Sequence, residues 1–296
     1  MKNKTILETI GNTPLVELKR YSPNPEIRIF AKLEGSNPSG SVKDRVALFM
    51  IKDALKRGLL SKEKKIIEPT SGNTGLGLAM ISAQLGYKFV AVMPESVSIE
   101  RRKLLAAYGA EIILTDGAKG TNYAIDVTKN MVAENPTSYT FLDQFSNPAN
   151  VQAHYKTTGN EIIQGVSGIT HFVAGMGTGG TLMGVGKRLK EFNTNIKIIG
   201  IEPKPNSKIQ GLRNMQAYNP PIFDENKLDT KLVIEDDNVA FELARDLFKM
   251  EGISVGISSG AALWGVLQIA STIKEGIIVT LFPDRGDKYV STSLFM

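Results

Sequence analysis

Lys43 lies in Asn37-Pro38-Ser39-Gly40-Ser41-Val42-Lys43-Asp44-Arg45, where Ser41 followed three residues on by Asp44 is a capping-box pattern. The pattern predicts a helix from Ser41 to about Arg57, with Lys43 in its first turn. A cation there opposes the positive end of the helix macrodipole, which favours the neutral amine. Burial acts in the same direction. An easily neutralised lysine is a nucleophile toward a carbonyl group and a base toward a carbon acid. An exposed lysine in a charged first turn has the same local sequence, so this stretch alone leaves both readings open.

Three further turns could hold an anion. Thr70-Ser71-Gly72-Asn73-Thr74-Gly75 follows an apolar strand and opens a helix, offering backbone N–H groups and hydroxyls to a carboxylate or phosphate. An ordinary capped helix start fits it equally well. Gly175-Met176-Gly177-Thr178-Gly179-Gly180-Thr181, again between strand and helix, has more glycines than a plain loop needs and suits a phosphate. Its Gly175, Gly177 and Gly180 also satisfy G-x-G-x-x-G, with Glu202 where a ribose-binding acid is expected. A nicotinamide-dependent dehydrogenase is therefore a rival reading. That rival explains neither Lys43 nor the Thr70–Gly75 turn, and no proton-relay histidine accompanies it. Gly256-Ile257-Ser258-Ser259-Gly260-Ala261 reads first as an N-capped helix start.

The elements that must position these residues alternate. Strands are expected at Ile66–Glu68, Phe89–Met93, Glu111–Leu114, His171–Ala174, Ile196–Ile201 and Ile277–Phe282, with helices between most of them. The last strand is nearly all apolar, as a strand buried on both faces should be. This predicts an α/β protein with parallel sheets covered by helices, its ligands beyond the carboxyl ends of the strands. Two blocks, residues 35–146 and 147–296, meet at Gln144-Phe145-Ser146-Asn147-Pro148. Residues 203–227, rich in Pro and Asn, read as an irregular surface excursion. Arg101-Arg102-Lys103 reads as a solvated helix face, Trp264 as core, and His154 and His171 as structural.

The chain has 296 residues, with 35 Lys+Arg against 30 Asp+Glu, 2 His and no Cys. Without cysteine there is no disulfide scaffold, thiolate metal site or Cys nucleophile. The net charge of +5 is spread over the whole length, so no nucleic-acid partner is expected. No run approaches the ~18 apolar residues of a membrane span. The first residues lack a signal-peptide core, so a cytoplasmic location is expected.

Taken in order, these segments resemble the fold-type II pyridoxal-phosphate enzymes, and among them the cysteine synthases (O-acetylserine sulfhydrylases). The resemblance begins at Ile10-Gly11-Asn12-Thr13-Pro14-Leu15 and runs through the Lys43, Thr70–Gly75 and Gln144–Pro148 segments and Thr157-Thr158-Gly159 to Ser291-Thr292-Ser293-Leu294-Phe295. Met93-Pro94-Glu95, Ser98–Arg102, His154-Tyr155 and Asp284-Arg285-Gly286-Asp287-Lys288-Tyr289 are similar to the B isoform. The 177–181 loop is more typical of the A isoform, and Asn160 replaces a usual proline.

The resemblance implies two three-layer αβα domains with mainly parallel sheets and an active site in the cleft between them. Residues 35–146 would form a smaller mobile domain carrying Lys43. Residues 1–34 and 147–296 would form a larger domain carrying the phosphate loop. Lys43 would hold the cofactor as a Schiff base and act as the catalytic base. Asn73 would bind the cofactor's ring hydroxyl, and Gly177, Thr178, Gly179, Gly180 and Thr181 its phosphate. Ser259, with Ser258 as the alternative, would face its ring nitrogen. Thr70, Ser71, Gly72, Thr74 and Gln144 would hold the substrate carboxylate. The implied reaction is a transferase-type β-replacement of O-acetyl-L-serine by sulfide, or by thiosulfate to give S-sulfocysteine, with Arg213 and Asp284 as influences on that choice. A homodimer is implied. Cystathionine β-synthase, O-phosphoserine sulfhydrylase and serine/threonine dehydratase activities share the same cofactor and remain alternatives.

Overall fold

The computed structural model describes residues 5–70 and 72–295. The first part of the chain forms β1 (Leu15–Glu17), β2 (Ile27–Leu33), α1 (Lys43–Lys56), β3 (Lys65–Pro69), α2 (Asn73–Leu85), β4 (Phe89–Pro94), α3 (Ile99–Ala107), β5 (Glu111–Thr115), α4 (Gly120–Glu134) and β6 (Tyr139–Phe141). It continues with α5 (Pro148–Ala153), α6 (Gly159–Gly165), β7 (His171–Gly175), α7 (Gly180–Phe192), β8 (Lys197–Pro203), β9 (Thr230–Ile234), α8 (Asp237–Asp246), α9 (Ile257–Ala270) and β10 (Gly276–Phe282).

The strands form two sheets. One has four parallel strands in the order β5-β4-β3-β6. The other has six in the order β1-β2-β10-β7-β8-β9, parallel except for the edge pair β1–β2. Each central strand feeds two cores by period-2 alternation. In β4, Phe89, Ala91 and Met93 join a cluster with Val46, Met50, Leu78 and Ile81 of α1 and α2, while Val90 and Val92 pack with Ala124 of α4. In β8, Ile199 and Ile201 face the α8 and α9 cluster, and Ile198 faces that of α7. No helix among the described residues is long and apolar enough to cross a membrane.

Helices α8 and α9 cross at Gly260, where a Cβ would stand 1.9 Å from Ala240 O and 2.8 Å from Ala244 N. Backbone cannot yield as a side-chain tip can, so Gly260→Ala forces the helices apart. The expected loss is about 1–3 kcal/mol, read from the urea midpoint, with an unchanged midpoint as the contrary result.

Two sequence expectations are corrected. The Ser41–Asp44 capping box does not form. The turn before α1, with Gly40 at φ +82°, brings Ser39 over the helix, and the Asp44 carboxylate accepts from Ser39 N–H at 2.6 Å and from Ser39 Oγ. Ser41 Oγ accepts from Lys43 N–H instead, at 3.2 Å. Residues 203–227 are irregular but not superficial. Ile209, Met215 and Phe223 are buried, and Arg213 N–H donates to Met176 O at 2.8 Å, folding this segment over the glycine-rich turn.

Candidate active site

The start of α1 is docked on the end of β10. Val42 N–H donates to Pro283 O at 2.8 Å, and Ser41 forms an isolated antiparallel bridge with Asp284. Lys43 therefore emerges beyond a strand carboxyl end, where α/β folds place ligands. Burial pushes its ammonium pKa down to about 8, against the pull of the nearby Asp284 carboxyl. A cavity of about 70 Å³ is lined by Lys43, Asn73, Gly177, Thr178, Ser258 and Asp284 among others. Lys43, Asn73, Gly177 and Thr178 also line an adjoining pocket of about 210 Å³. Asn73, Gly211 and Leu212 connect both to a cleft of about 760 Å³.

One wall is the turn from β7 into α7. A Cβ on Gly180 would lie 2.0 Å from Asn150 Oδ1, and Asn150 Nδ2 donates to Thr178 Oγ1 at 3.0 Å, so this loop is pinned close to α5. Among the described residues, no acceptor within the protein meets the N–H groups of Gly177, Thr178 or Gly179. Unpaired N–H donors at the positive end of a 13-residue helix form an anion site. Glu202, the acid a dinucleotide fingerprint would need, is committed elsewhere. It accepts from Met215 N–H at 2.6 Å and pairs with Lys231 at 3.2 Å, which removes the support for the dehydrogenase reading.

The opposite wall is the turn into α2. Thr70 Oγ1, two residues before the N-cap Gly72, accepts from the first-turn Gly75 N–H at 3.0 Å, while keeping its own hydrogen to donate. Thr74 Oγ1 donates to Gln144 Oε1 at 2.7 Å. The Gln144 and Asp143 N–H groups, 3.0 Å each, donate to the Glu68 carboxyl, whose burial raises its pKa to about 8. Thr70, Gly72, Thr74 and Gln144 thus meet at one pocket with Lys43. Ser71 lies outside the described residues. Arg213 closes the same pocket, its guanidinium 4.9 Å from the ring centroids of both Phe145 and Tyr218.

Asn73 opens α2 and is held at both ends of its amide. Its Nδ2 donates to Asp284 Oδ2 at 2.6 Å, and its Oδ1 accepts from Lys288 Nζ at 2.8 Å. Tyr289 OH donates to the same Asp284 oxygen at 2.7 Å. One Nδ2 hydrogen of Asn73 is left for a ligand. Burial raises the Asp284 pKa and lowers that of Lys288.

The two serines of α9 differ. Ser258 lines the cavity with Lys43, whereas Ser259 is fully buried and its Oγ has no partner among the described residues. The geometry favours Ser258 over Ser259 as the hydroxyl that can meet a ligand.

Several residues at the site carried no clear signal in the sequence. Arg101 is not part of a simple solvated face: its Nη2 donates to Gln210 Oε1 at 2.7 Å and its guanidinium lies 5.5 Å from the Tyr289 ring, at the large cleft. Arg213 Nη1 donates in the other direction to Asn122 Oδ1 at 3.1 Å, so two arginine–amide bonds span the mouth. Gly211, at φ +94° within the irregular segment, was the available hint that this segment turns at a specific point. Beneath α1, Arg45 forks between Glu34 and Glu161 with bonds of 2.6–2.9 Å, and Lys32 pairs with Glu161 at 2.7 Å. Thr13 of the Gly11–Leu15 motif donates to Glu34 at 2.7 Å and belongs to this network.

Residues 6–284 match the family described as "Pyridoxal-phosphate dependent enzyme". The chain is 50% identical to the cysteine synthase of Aquifex aeolicus over 302 residues, which is 99% of this chain and 92% of that protein. It is 46% identical to the cysteine synthase B of Salmonella typhimurium, covering 98% of this chain and 96% of that one. The crystal structure of a cysteine synthase from Entamoeba histolytica superposes with a TM-score of 0.93 at 39% identity, covering 100% of this chain and 91% of that chain. An amine with a lowered pKa and an anion-binding helix start facing one cavity are what that cofactor's aldehyde and phosphate require, and with this match the chain belongs to the pyridoxal-phosphate dependent enzyme family.

Proposed function

We propose that the protein is a cysteine synthase, converting O-acetyl-L-serine and sulfide to L-cysteine and acetate, with thiosulfate as a second acceptor. The observation that carries this reading is the placing of Lys43 between two helix starts, one with free N–H groups at Gly177–Gly179 and one bearing Thr70, Thr74 and Gln144. The names of the relatives at 46% and 50% identity support the choice of reaction.

Pyridoxal phosphate, when bound, supplies an aldehyde that condenses with an amine and a ring that draws electrons from an amino acid's α-carbon. In this reading the Gly177, Thr178, Gly179, Gly180 and Thr181 segment holds its phosphate, Asn73 its ring hydroxyl and Ser258 its ring nitrogen. A neutral hydroxyl at that nitrogen makes a weaker electron sink than a carboxylate would, which favours prompt loss of a β-substituent. Thr70, Ser71, Gly72, Thr74 and Gln144 bind the substrate carboxylate. Lys43 Nζ removes the α-proton, acetate departs from the β-carbon, sulfide adds there, and Lys43 returns the proton to the α-carbon.

Residues 35–146 act in this reading as the smaller, mobile domain, closing on residues 1–34 and 147–296 to exclude water. A cytoplasmic homodimer is proposed from the family resemblance.

The serine assignment separates two variants. Ser258→Ala is expected to lower kcat/KM by about tenfold, the equivalent of one hydrogen bond to the cofactor. Ser259→Ala removes an unpaired buried hydroxyl and should leave kcat/KM within about twofold and thermal stability unchanged or higher. The reverse pattern would return the assignment to Ser259.

For the reaction itself, purified protein saturated with pyridoxal phosphate should yield cysteine and acetate in equal amounts from O-acetyl-L-serine and sulfide. Parallel assays take thiosulfate, homocysteine or no acceptor, and O-phospho-L-serine as donor. Turnover confined to homocysteine, to O-phosphoserine or to deamination without acceptor would overturn the proposed activity.

A further inference from the structure

Behind the glycine-rich loop sits an imidazole that the reaction scheme leaves unused. His154 is fully buried at the start of a π-helical turn, His154–Thr158. Single π-helical turns inside helices are frequent at functional sites. Its Nδ1 lies 3.1 Å from Thr158 Oγ1 and its Nε2 lies 3.3 Å from Thr181 Oγ1. Helix α7 makes room for it at Gly184, where a Cβ would stand 2.6 Å from His154 Cβ and 2.4 Å from Val151 O.

Burial holds the ring neutral, and the positive charges of Lys43 and Arg45 act in the same sense against the weaker opposing influence of Glu161. A neutral imidazole has one donor and one acceptor, so two arrangements exist. In one, Thr158 Oγ1–H donates to Nδ1, and Nε2–H donates to Thr181 Oγ1. The Thr181 hydrogen is then free to point into the loop. In the other, Nδ1–H donates to Thr158 and the Thr181 hydroxyl spends its single hydrogen on Nε2, presenting only lone pairs to an anion. A phosphate dianion selects the first arrangement, because a charge-assisted hydrogen bond replaces a lone-pair repulsion.

We infer that His154 is a positioning residue for the cofactor phosphate: fixed as the Nε2–H tautomer, it turns the Thr181 hydroxyl into a donor toward that phosphate. The inference rests on the assignment of the 177–181 loop to the phosphate. It makes Thr158–His154–Thr181 a one-way hydrogen-bond relay that ends at the ligand.

Two readouts on the holoenzyme test it, neither depending on turnover. The first is long-range ¹H–¹⁵N NMR of histidine-labelled wild type, which should show His154 protonated at Nε2 only. The second is the pyridoxal-phosphate dissociation constant, with the ³¹P resonance of the bound phosphate. His154→Leu should weaken binding by about tenfold or more, whereas His154→Gln, whose amide nitrogen reaches the Nε2 position, should stay within about threefold of wild type. In a Thr181→Ala background, replacing His154 by Leu should change affinity by less than about twofold, because the relay has lost its end. Equal weakening by Leu and Gln, equal affinity of all three proteins, or a His154 that is cationic or protonated at Nδ1 would each overturn the inference. Should His154→Leu fail to fold, the wild-type tautomer decides. A wild-type ³¹P resonance unaffected by Thr181→Ala would instead strike the loop assignment, and the inference with it.

Discussion

Lys43→Ala is expected to lower cysteine formation by at least ~10³-fold, because in the proposed reaction one amine serves both as the nucleophile for the cofactor aldehyde and as the proton carrier at the α-carbon. The fold gives no substitute. Among the described residues, Lys43 is the lysine lining the cavity and the adjoining pocket; the larger cleft adds Lys208 and Lys288, and Lys288 already donates to Gly40 O and Asn73 Oδ1 at 3.1 and 2.8 Å. The same amine sets a pH dependence. Its pKa is lowered from 10.5 to about 8 by burial, so in the apoprotein it is a cation below about pH 8 and a free amine above. The rate of cofactor attachment to apoprotein should rise with pH around a midpoint near 8, where an exposed lysine would give one near 10.5. Between these two values the unfolded chain keeps a proton that the native apoprotein has released, so Lys43 makes apoprotein stability rise with pH across that window. Stopped-flow absorbance and denaturation curves across that pH range measure both effects. An attachment midpoint near 10.5 would show that the side chain is solvated rather than buried.

The largest stability effect is expected at Arg45. Its side chain is 1% exposed and binds Glu34, 0% exposed, and Glu161, 15% exposed. Arg45→Leu leaves the Glu34 carboxylate buried without its cation, and breaking a buried pair by removing one partner costs about 3–5 kcal/mol. Glu161 remains with Lys32 at 2.7 Å, so the loss centres on Glu34. The network also creates an acid limb. Burial raises the Glu161 pKa, but the bonds to Arg45 and Lys32 outweigh this and hold it at about 2, below its usual 4.5. Its stabilisation is therefore present above pH 4.5 and is lost as pH falls toward 2. Urea denaturation at fixed cofactor concentration should show a lower midpoint for Arg45→Leu at pH 7 and a gentler decline below pH 4.5 than in wild type. An unchanged midpoint would mean that the network does not carry α1. Because Arg45 lies two residues beyond Lys43 in the first turn of the same helix, the loss should also weaken cofactor retention.

The parts of the site legible in the sequence are those in which local chain geometry and chemistry coincide. The turns at Thr70–Gly75 and Gly175–Thr181 follow apolar strands and open helices, and period-2 and 3.6-residue patterns locate such junctions from neighbouring residues alone. The sequence pattern places the start of α1 within two residues but not its capping contact, because Ser39 rather than Ser41 meets Asp44 once the Gly40 turn has folded. Only a three-dimensional approach settles that competition. Ser258 and Ser259 are adjacent in sequence and chemically identical. Their difference is about 100° of helix rotation, one toward the cavity and one into the core. The Arg45–Glu34–Glu161 network joins residues 116 positions apart, and Arg101–Gln210 joins residues 109 apart. Neither leaves a periodicity to read. The G-x-G-x-x-G match marks a strand-to-helix turn with unpaired N–H groups, and it misleads when read as a dinucleotide site. The decisive fact, that Glu202 already serves Met215 and Lys231, is tertiary.

Attachment of pyridoxal phosphate to Lys43, in the cavity between the two helix starts, is what the proposed reaction requires. It is tested most directly by reducing the holoenzyme with borohydride, digesting it and locating the cofactor by mass spectrometry. One pyridoxyl-phosphate adduct per chain is expected, on the peptide containing Lys43, and none after Lys43→Ala. An adduct on another lysine, or none in wild type saturated with cofactor, would contradict it.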